Sequence, residues 1–126
     1  MPASKKRILI VEDTRTVVMV EKMMLAGLGY DIETAVNGVE GLRKTRTYKP
    51  DLILLDIVMP EMDGIQMCRL VKADPETRAI PIIMVTSKGE LDKVEQAYLA
   101  GCDDYLTKPI DKVELTSKVA KHMSKL

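Results

Sequence analysis

Phenylalanine and tryptophan are absent from the 126 residues and only four tyrosines occur. The chain therefore has few aromatic platforms on which nucleic-acid bases could stack. Net charge is missing too, because 19 basic residues balance 19 acidic ones, and with it goes any global attraction to polyanions or anionic membranes. A single histidine, His122, leaves a Ser-His-Asp or Cys-His mechanism one candidate base, remote from the strand ends. Near the end of a helix it reads as a solvated or capping residue favoured by the helix dipole. The two cysteines, Cys68 and Cys102, form no CxxC pair and read as reduced, small apolar residues of a cytosolic protein. No apolar run reaches membrane-spanning length. The run after the basic stretch Met1–Arg7 stops at Val11, too short for the core of a signal peptide. Ser124-Lys125-Leu126 spells a peroxisomal address, a three-residue match that chance supplies easily.

What is present is aliphatic: nine methionines and five short apolar runs that alternate with amphipathic stretches. The runs Ile8–Val11, Asp31–Ala35, Leu52–Leu55, Ile82–Val85 and Asp104–Thr107 are short enough to be strands. Between them, Val17, Val18, Val20, Met23, Met24 and Leu28 recur at helical spacing and stop at Gly29, which predicts a first helix from Asp13 or Thr14. Further helices are predicted over Gly38–Tyr48, Gly64–Ala73, Gly89–Ala100 and from Lys112 to the end. Pro50, Pro60, Pro75, Pro81 and Pro109 fall between elements. The alternation predicts one α/β domain over residues 1–126, a doubly wound five-stranded parallel sheet with right-handed crossovers and helices on both faces. Polar Asp31 and Glu33 mark the second strand as an edge.

In such a sheet, ligands gather at the carboxyl ends of the strands. Asp56 ends the run Asp51-Leu52-Ile53-Leu54-Leu55 and opens the loop Ile57-Val58-Met59-Pro60-Glu61-Met62-Asp63-Gly64, a poor place for packing and a good one for chemistry. Strand one ends in Glu12-Asp13, strand four in Thr86-Ser87, strand five in Thr107-Lys108-Pro109. If strands one and three are neighbours, Glu12, Asp13 and Asp56 converge, and three adjacent carboxylates raise one another's pKa unless a cation compensates. Oxygen ligands alone favour Mg²⁺. With a hydroxyl from Thr86 and the ammonium of Lys108, the set suits a phosphoryl group, and Asp56 is the residue poised to attack it.

Taken singly, several of these residues have plainer readings. Asp13 could cap the first helix, Thr86-Ser87 could end a strand and cap the next helix, Lys108-Pro109 could be an ordinary turn, and Tyr105 could be a partly buried aromatic. One arrangement explains them together. Glu12-Asp13, Asp56, the loop Met59-Pro60-x-Met62-Asp63-Gly64, Thr86, Tyr105 and Lys108-Pro109 resemble the receiver domain of bacterial response regulators, in its single-domain CheY-like form, over essentially the whole chain. By analogy with that fold the strand order would be 2-1-3-4-5.

The resemblance implies a phosphorylation-dependent signalling switch of a two-component phosphorelay rather than an enzyme acting on a separate substrate. Asp56 would be the phosphoacceptor, taking its group from a sensor histidine kinase, a phosphotransfer protein or a small phosphodonor, and promoting its own phosphorylation and dephosphorylation. Asp13, Asp56 and the carbonyl of Val58 would hold Mg²⁺, with Glu12 acting mainly through water, and Lys108 would hold a phosphoryl oxygen. The peptide to Pro109 would be cis. Thr86 and Tyr105 would be the switch pair, altering the face of helix four, strand five and helix five, where Lys93, Glu95, Lys118 and Lys121 suggest a mixed polar surface for a downstream target protein. The location would be cytoplasmic, with no direct nucleic-acid or membrane partner.

Rival readings lose a needed group. A Mg²⁺-dependent phosphohydrolase resembling haloacid dehalogenases would need its general acid two residues after Asp56, where Val58 stands. A flavin-binding module would need a phosphate loop after strand one, where Glu12-Asp13 would repel a phosphate. A degenerate scaffold would not retain the acceptor, acid pair, threonine and lysine together. By the same resemblance, Val58 and Lys88 occupy positions that tune phosphoryl lifetime in receivers, and Ser87 stands where an alanine is common. Met59 and Met62 are expected to be exposed and Gly64 to ease a tight entry into the third helix.

Overall fold

The computed structural model describes residues 5–124; the residues outside that span include the ends of the expected 1–126 domain and the last two of Ser124-Lys125-Leu126. The elements are β1 (Arg7–Val11), α1 (Arg15–Leu25), β2 (Asp31–Ala35), α2 (Gly38–Thr47), β3 (Leu52–Asp56), α3 (Gly64–Ala73), β4 (Ile82–Ser87), α4 (Lys93–Leu99), β5 (Asp104–Lys108) and α5 (Lys112–Met123). The five strands form one parallel sheet in the order β2-β1-β3-β4-β5. That is the doubly wound α/β architecture expected, with β2 at an edge.

Strand pleating sorts the aliphatic runs onto two faces. Leu9, Val11, Ile53, Leu55, Ile82 and Met84 point to a core that Met67, Cys68 and Val71 of α3 and Ala97 of α4 close. Ile8, Ile10, Leu52, Leu54, Ile83 and Leu106 point to a second core closed by Leu25 of α1 and by Leu115, Val119 and Met123 of α5. Full burial of one such side chain contributes about 1.5–3 kcal/mol, so both faces of the central strands are held independently. Cys68 and Cys102 are both buried in the first core as free thiols, and Cys68 Sγ donates to the Ala100 carbonyl.

Three boundaries differ from expectation, each for a local reason. First, α1 ends at Leu25 rather than Leu28, because Gly27 and Gly29 take positive φ of 80° and 85° and open the chain. The buried stripe of α1 is also narrower than its apolar pattern: Val17, Val18 and Met24 are half-buried and Leu25 buried, while Val20, Met23 and Leu28 face outward. Val20 and Met23 lie too far around the helix to reach a sheet that Glu21 and Leu25 face.

Second, the continuous helix expected over Gly89–Ala100 is divided. A short 3-10 turn occupies Lys88–Glu90 and α4 begins only at Lys93. Ser87 causes the break: its amide and its hydroxyl both donate to Glu90 Oε1, at 3.3 and 2.6 Å, closing a separate turn before the helix can start. Third, β3, β4 and β5 run one to two residues further than the apolar runs, so Asp56, Thr86, Ser87 and Lys108 are strand residues. Parallel pairing continues through them because their backbone groups still find partners across the sheet.

Candidate functional site

Register alone assembles the crevice. Val11 pairs with Leu55 across β1 and β3, so the next residues, Glu12 and Asp56, emerge side by side at the carboxyl edge. Ser87 pairs with Lys108 across β4 and β5, which brings the lysine to the same edge. Carboxylate oxygens of Glu12, Asp13 and Asp56 all lie within 4.8 Å of one another. Glu12 and Asp56 are buried, and Asp13 is exposed at the mouth.

Lys108 spans the two buried acids, its ammonium 3.0 Å from Glu12 Oε1 and 3.5 Å from Asp56 Oδ1. Glu12 Oε1 has this ion pair as its one close partner and no hydrogen bond of good geometry. Glu12 Oε2 accepts from the Thr14 amide at 3.2 Å, which fixes its carboxylate over the start of α1. The peptide bond between Lys108 and Pro109 is cis.

The electrostatics divide the acids. Burial pushes Asp56 up to about 7, helped by the charge and hydrogen bond of Glu12 and opposed by Lys108. Burial acts on Glu12 in the same direction, but Lys108 and the hydrogen bonds of Asp56 and Asp13 outweigh it and leave its carboxyl below the usual range. Asp13 is raised by desolvation and by Glu12. Lys108 is raised, because its two carboxylates outweigh the desolvation that opposes its charge. Between the two buried acids, these effects favour charge on Glu12 and a proton on Asp56.

The loop after Asp56 is shaped by backbone proximity. The Gly64 amide donates to the Ile57 carbonyl at 2.8 Å, and a Cβ on Gly64 would collide with the Asp56 carbonyl oxygen and come within 3.0 Å of the Ile57 Cα. Here glycine is needed for closeness rather than for its φ. Asp63 caps α3 in a reciprocal box with Gln66. Met59 and Met62 are not exposed as expected: Met59 is buried in the first core and Met62 packs against it, because the loop folds back over β3. Val58 carries its side chain outward.

Among the described residues, neither Thr86 nor Tyr105 makes a side-chain hydrogen bond to Asp56. Thr86 is fully buried, and its hydroxyl donates to the carbonyls of Ser87 and Glu90 at 3.2 and 3.4 Å. Tyr105 is half-buried between α4 and α5, edge-on to Tyr98 at 6.3 Å, with the Lys118 ammonium 5.1 Å from its ring centre. Since Met84 pairs with Tyr105 and Thr86 with Thr107, Thr86 and Tyr105 are diagonal neighbours on one sheet face.

Two further ionisable side chains, His122 and Glu21, are buried. His122 is buried rather than solvated, its Nε2 3.0 Å from Asp104 Oδ2, and Asp104 also pairs with Lys118 at 3.1 Å. Lys118 in turn donates to the Tyr105 carbonyl at 2.6 Å, so it is committed inside the molecule rather than offered at a surface. Glu21 is buried in the apolar stripe of α1 with Oε2 unpartnered. An acid at i+4 from Val17 and i−4 from Leu25 was the legible signal.

Comparison with known proteins points the same way. A family model described as "Response regulator receiver domain" matches residues 8–120. The alkaline phosphatase synthesis transcriptional regulatory protein PhoP of Bacillus subtilis (strain 168) is 42% identical over 115 residues, 90% of this chain and 47% of PhoP. Protein PilG of Pseudomonas aeruginosa is 33% identical over 117 residues, 93% of this chain and 87% of PilG. The crystal structure of a putative response regulator from Chloroflexus aurantiacus J-10-fl superposes with a TM-score of 0.92 at 32% identity, covering 96% of this chain and 99% of that one. The chain spans about half the length of PhoP and of other curated relatives it matches. Among the described residues no helix is long and apolar enough to cross a membrane.

Proposed function

The chain belongs to the response regulator receiver domain family, and from that membership we propose that it is a phosphorylation-dependent switch of a two-component phosphorelay, with Asp56 as its phosphoacceptor. The observation that carries this reading is the convergence at one strand edge of a buried aspartate, two further acids and a lysine that touches the aspartate. Residues 1–126 are proposed to act as one receiver unit.

An all-oxygen donor set of three converging acids, two of them buried, suits a hard divalent cation. Asp13, Asp56 and the Val58 carbonyl are proposed to hold Mg²⁺, with Glu12 acting through water. Bound there, Mg²⁺ would supply positive charge against the phosphoryl oxygens and favour the ionised Asp56 carboxylate. A carboxylate oxygen of Asp56 then forms a bond to phosphorus while the P–N bond of a donor phosphohistidine breaks. The electron pair leaves with the imidazole, which takes a proton from solvent. With acetyl phosphate the bond broken is P–O and acetate departs. Lys108 already contacts Asp56, so its ammonium is positioned to hold a phosphoryl oxygen, and catalysis is positioning and electrostatics. The same groups would promote hydrolysis of the acyl phosphate.

Thr86 and Tyr105 are proposed as the switch pair. Turning the Thr86 hydroxyl toward the phosphoryl group would release the Ser87 and Glu90 carbonyls and let the turn before α4 rearrange. Helix α4 carries exposed Tyr98 and Leu99, and the face of α4, β5 and α5 is the proposed docking surface for a downstream target protein. The phosphodonor would be a sensor histidine kinase or phosphotransfer protein in the cytoplasm.

Intact-mass analysis with Mg²⁺ and acetyl phosphate, or a histidine kinase, tests this. The native chain is expected to gain one phosphoryl group and Asp56→Asn none. An unchanged mass with every donor, or equal labelling of the variant, would sink the assignment.

A further inference from the structure

The turn over Lys88–Glu90 sits where the proposed switch residue must move. Val85 pairs with Asp56 across β3 and β4, and Ser87 pairs with Lys108 across β4 and β5, so Thr86 and Ser87 follow directly on the strand beside the phosphoacceptor. Two kinds of hydrogen bond meet there. The one Thr86 hydroxyl proton is shared between the Ser87 and Glu90 carbonyls at 3.2 and 3.4 Å, both longer than the about 2.7–2.8 Å usual for an O–H···O bond. The Ser87 hydroxyl donates to the Glu90 carboxylate at 2.6 Å, and the Ser87 amide donates to the same oxygen at 3.3 Å. That hydroxyl comes first in holding the Glu90 carboxyl below its usual range, so the acceptor is ionised. A short bond to an ionised acceptor is stronger than a long, shared one between neutral groups. The Ser87–Glu90 closure, rather than Thr86 itself, therefore fixes the turn.

Helix α4 adds no seal of its own. Asp92 at its start makes no side-chain cap hydrogen bond, whereas Asn37, Asp63 and Asp111 cap α2, α3 and α5. Leu91 and Asp92 already have helical dihedral angles, so the turn runs into α4 with no cap to separate them.

We propose that Ser87 and Glu90 form a latch, with Glu90 a positioning residue that acts through Thr86: closed, the latch keeps both carbonyls on the Thr86 hydroxyl, and it opens when that hydroxyl turns to a phosphoryl oxygen on Asp56. This rests on the phosphoacceptor and switch reading above. If Thr86 turned while the latch stayed shut, the Ser87 and Glu90 carbonyls would lose this donor and remain aimed at the place it left, which is unfavourable. Opening the turn exposes them to water instead. The latch and the phosphoryl group thus pull Thr86 in opposite directions, and whatever holds the latch shut weakens the hold of the site on the phosphoryl group by the same amount.

Trifluoroberyllate, which sits on a carboxylate oxygen with the shape of a phosphoryl group, provides the test. It is titrated into the full chain at saturating Mg²⁺ and followed by NMR at Asp56 and Thr86. Ser87→Ala and Glu90→Ala are each expected to bind it about five-fold more tightly than the native chain, and Ser87→Thr, which keeps the hydroxyl, to bind it as the native chain does. In a Thr86→Ala background Ser87→Ala and Glu90→Ala should no longer change the affinity, because the latch acts through that hydroxyl. A turn that serves only to start α4 would lower thermal stability on substitution and leave the affinities equal. Native-like or weaker binding in Ser87→Ala or Glu90→Ala, tighter binding in Ser87→Thr, or an effect that persists in the Thr86→Ala background overturns the latch and spares the phosphoacceptor reading. A native chain that binds no trifluoroberyllate, with its Asp56 resonances unmoved, overturns both.

Discussion

Lys108 is held more closely by Glu12 than by the proposed phosphoacceptor: its ammonium is 3.0 Å from Glu12 Oε1 and 3.5 Å from Asp56 Oδ1. Glu12 therefore favours a proton on Asp56 in two ways. It draws away the neutralising ammonium, and its own charge and hydrogen bond favour a proton on Asp56.

Replacing Glu12 by glutamine should release both effects. In the native, metal-free chain Asp56 is expected to titrate near 7, raised by burial first and Glu12 second. In Glu12→Gln its midpoint should fall by about one unit or more, and Lys108 should move onto Asp56. The check is the pH dependence of the Asp56 carboxyl carbon by NMR. A midpoint that stays near 7 would mean burial alone sets it.

Glu21 should make the fold less stable as pH rises. Its carboxyl is raised from 4.5 to about 8, so between those values the folded chain holds a proton that the unfolded chain has released. Stability is highest below about pH 4.5 for this group and declines until about pH 8, by on the order of 4 kcal/mol. Asp56, raised from 3.8 to about 7, acts in the same direction but its contribution fades through pH 7 and is spent by about pH 8. The decline between about pH 7 and 8 should therefore shrink markedly in Glu21→Met. Urea unfolding of the metal-free chain at several pH values measures this.

Gly64→Ala should be poorly tolerated, since its Cβ would meet the Asp56 carbonyl oxygen and the Ile57 backbone, neither of which can rotate aside. The expected loss is about 2–3 kcal/mol, with phosphoryl labelling reduced even in the folded fraction because α3 can no longer approach the acceptor. Denaturation paired with intact-mass labelling separates the two effects.

His122→Ala should destabilise by about 2–3 kcal/mol. It empties a buried site and removes one partner of Asp104, whose other contacts are Lys118 and the Tyr105 amide. Those contacts hold Asp104 below the usual carboxylate range although burial alone would raise it. The native chain should lose stability as pH falls through the folded pKa of Asp104, and the variant should lose less. Thermal melts at acidic pH report the difference.

The sequence made the sheet readable because both faces of its central strands are buried, so Ile8–Val11, Leu52–Leu55 and Ile82–Val85 are unbroken apolar runs. The acids at the strand ends were readable for the converse reason, since nothing in packing explains them. Less legible was whatever depends on contacts distant in sequence. His122 reaches Asp104 across 18 residues, and no local pattern announces that pairing. The break before α4 hinges on one Ser87–Glu90 closure that competes with helix propagation. Met59 and Met62 lie in a loop, and loop residues track the route of the backbone rather than a periodicity.

The two thiols in the first core set a different kind of measure. Desolvation pushes Cys68 up to about 11 and Cys102 up to about 12, and both side chains are buried, so the native chain presents almost no thiolate to an alkylating reagent. An opened chain presents two at the ordinary cysteine pKa. The rate at which iodoacetamide marks these sulfurs therefore counts openings of the α3–β5 side of the molecule under native conditions, and the ratio of the two rates tells whether α3 and the start of β5 come apart together or in turn.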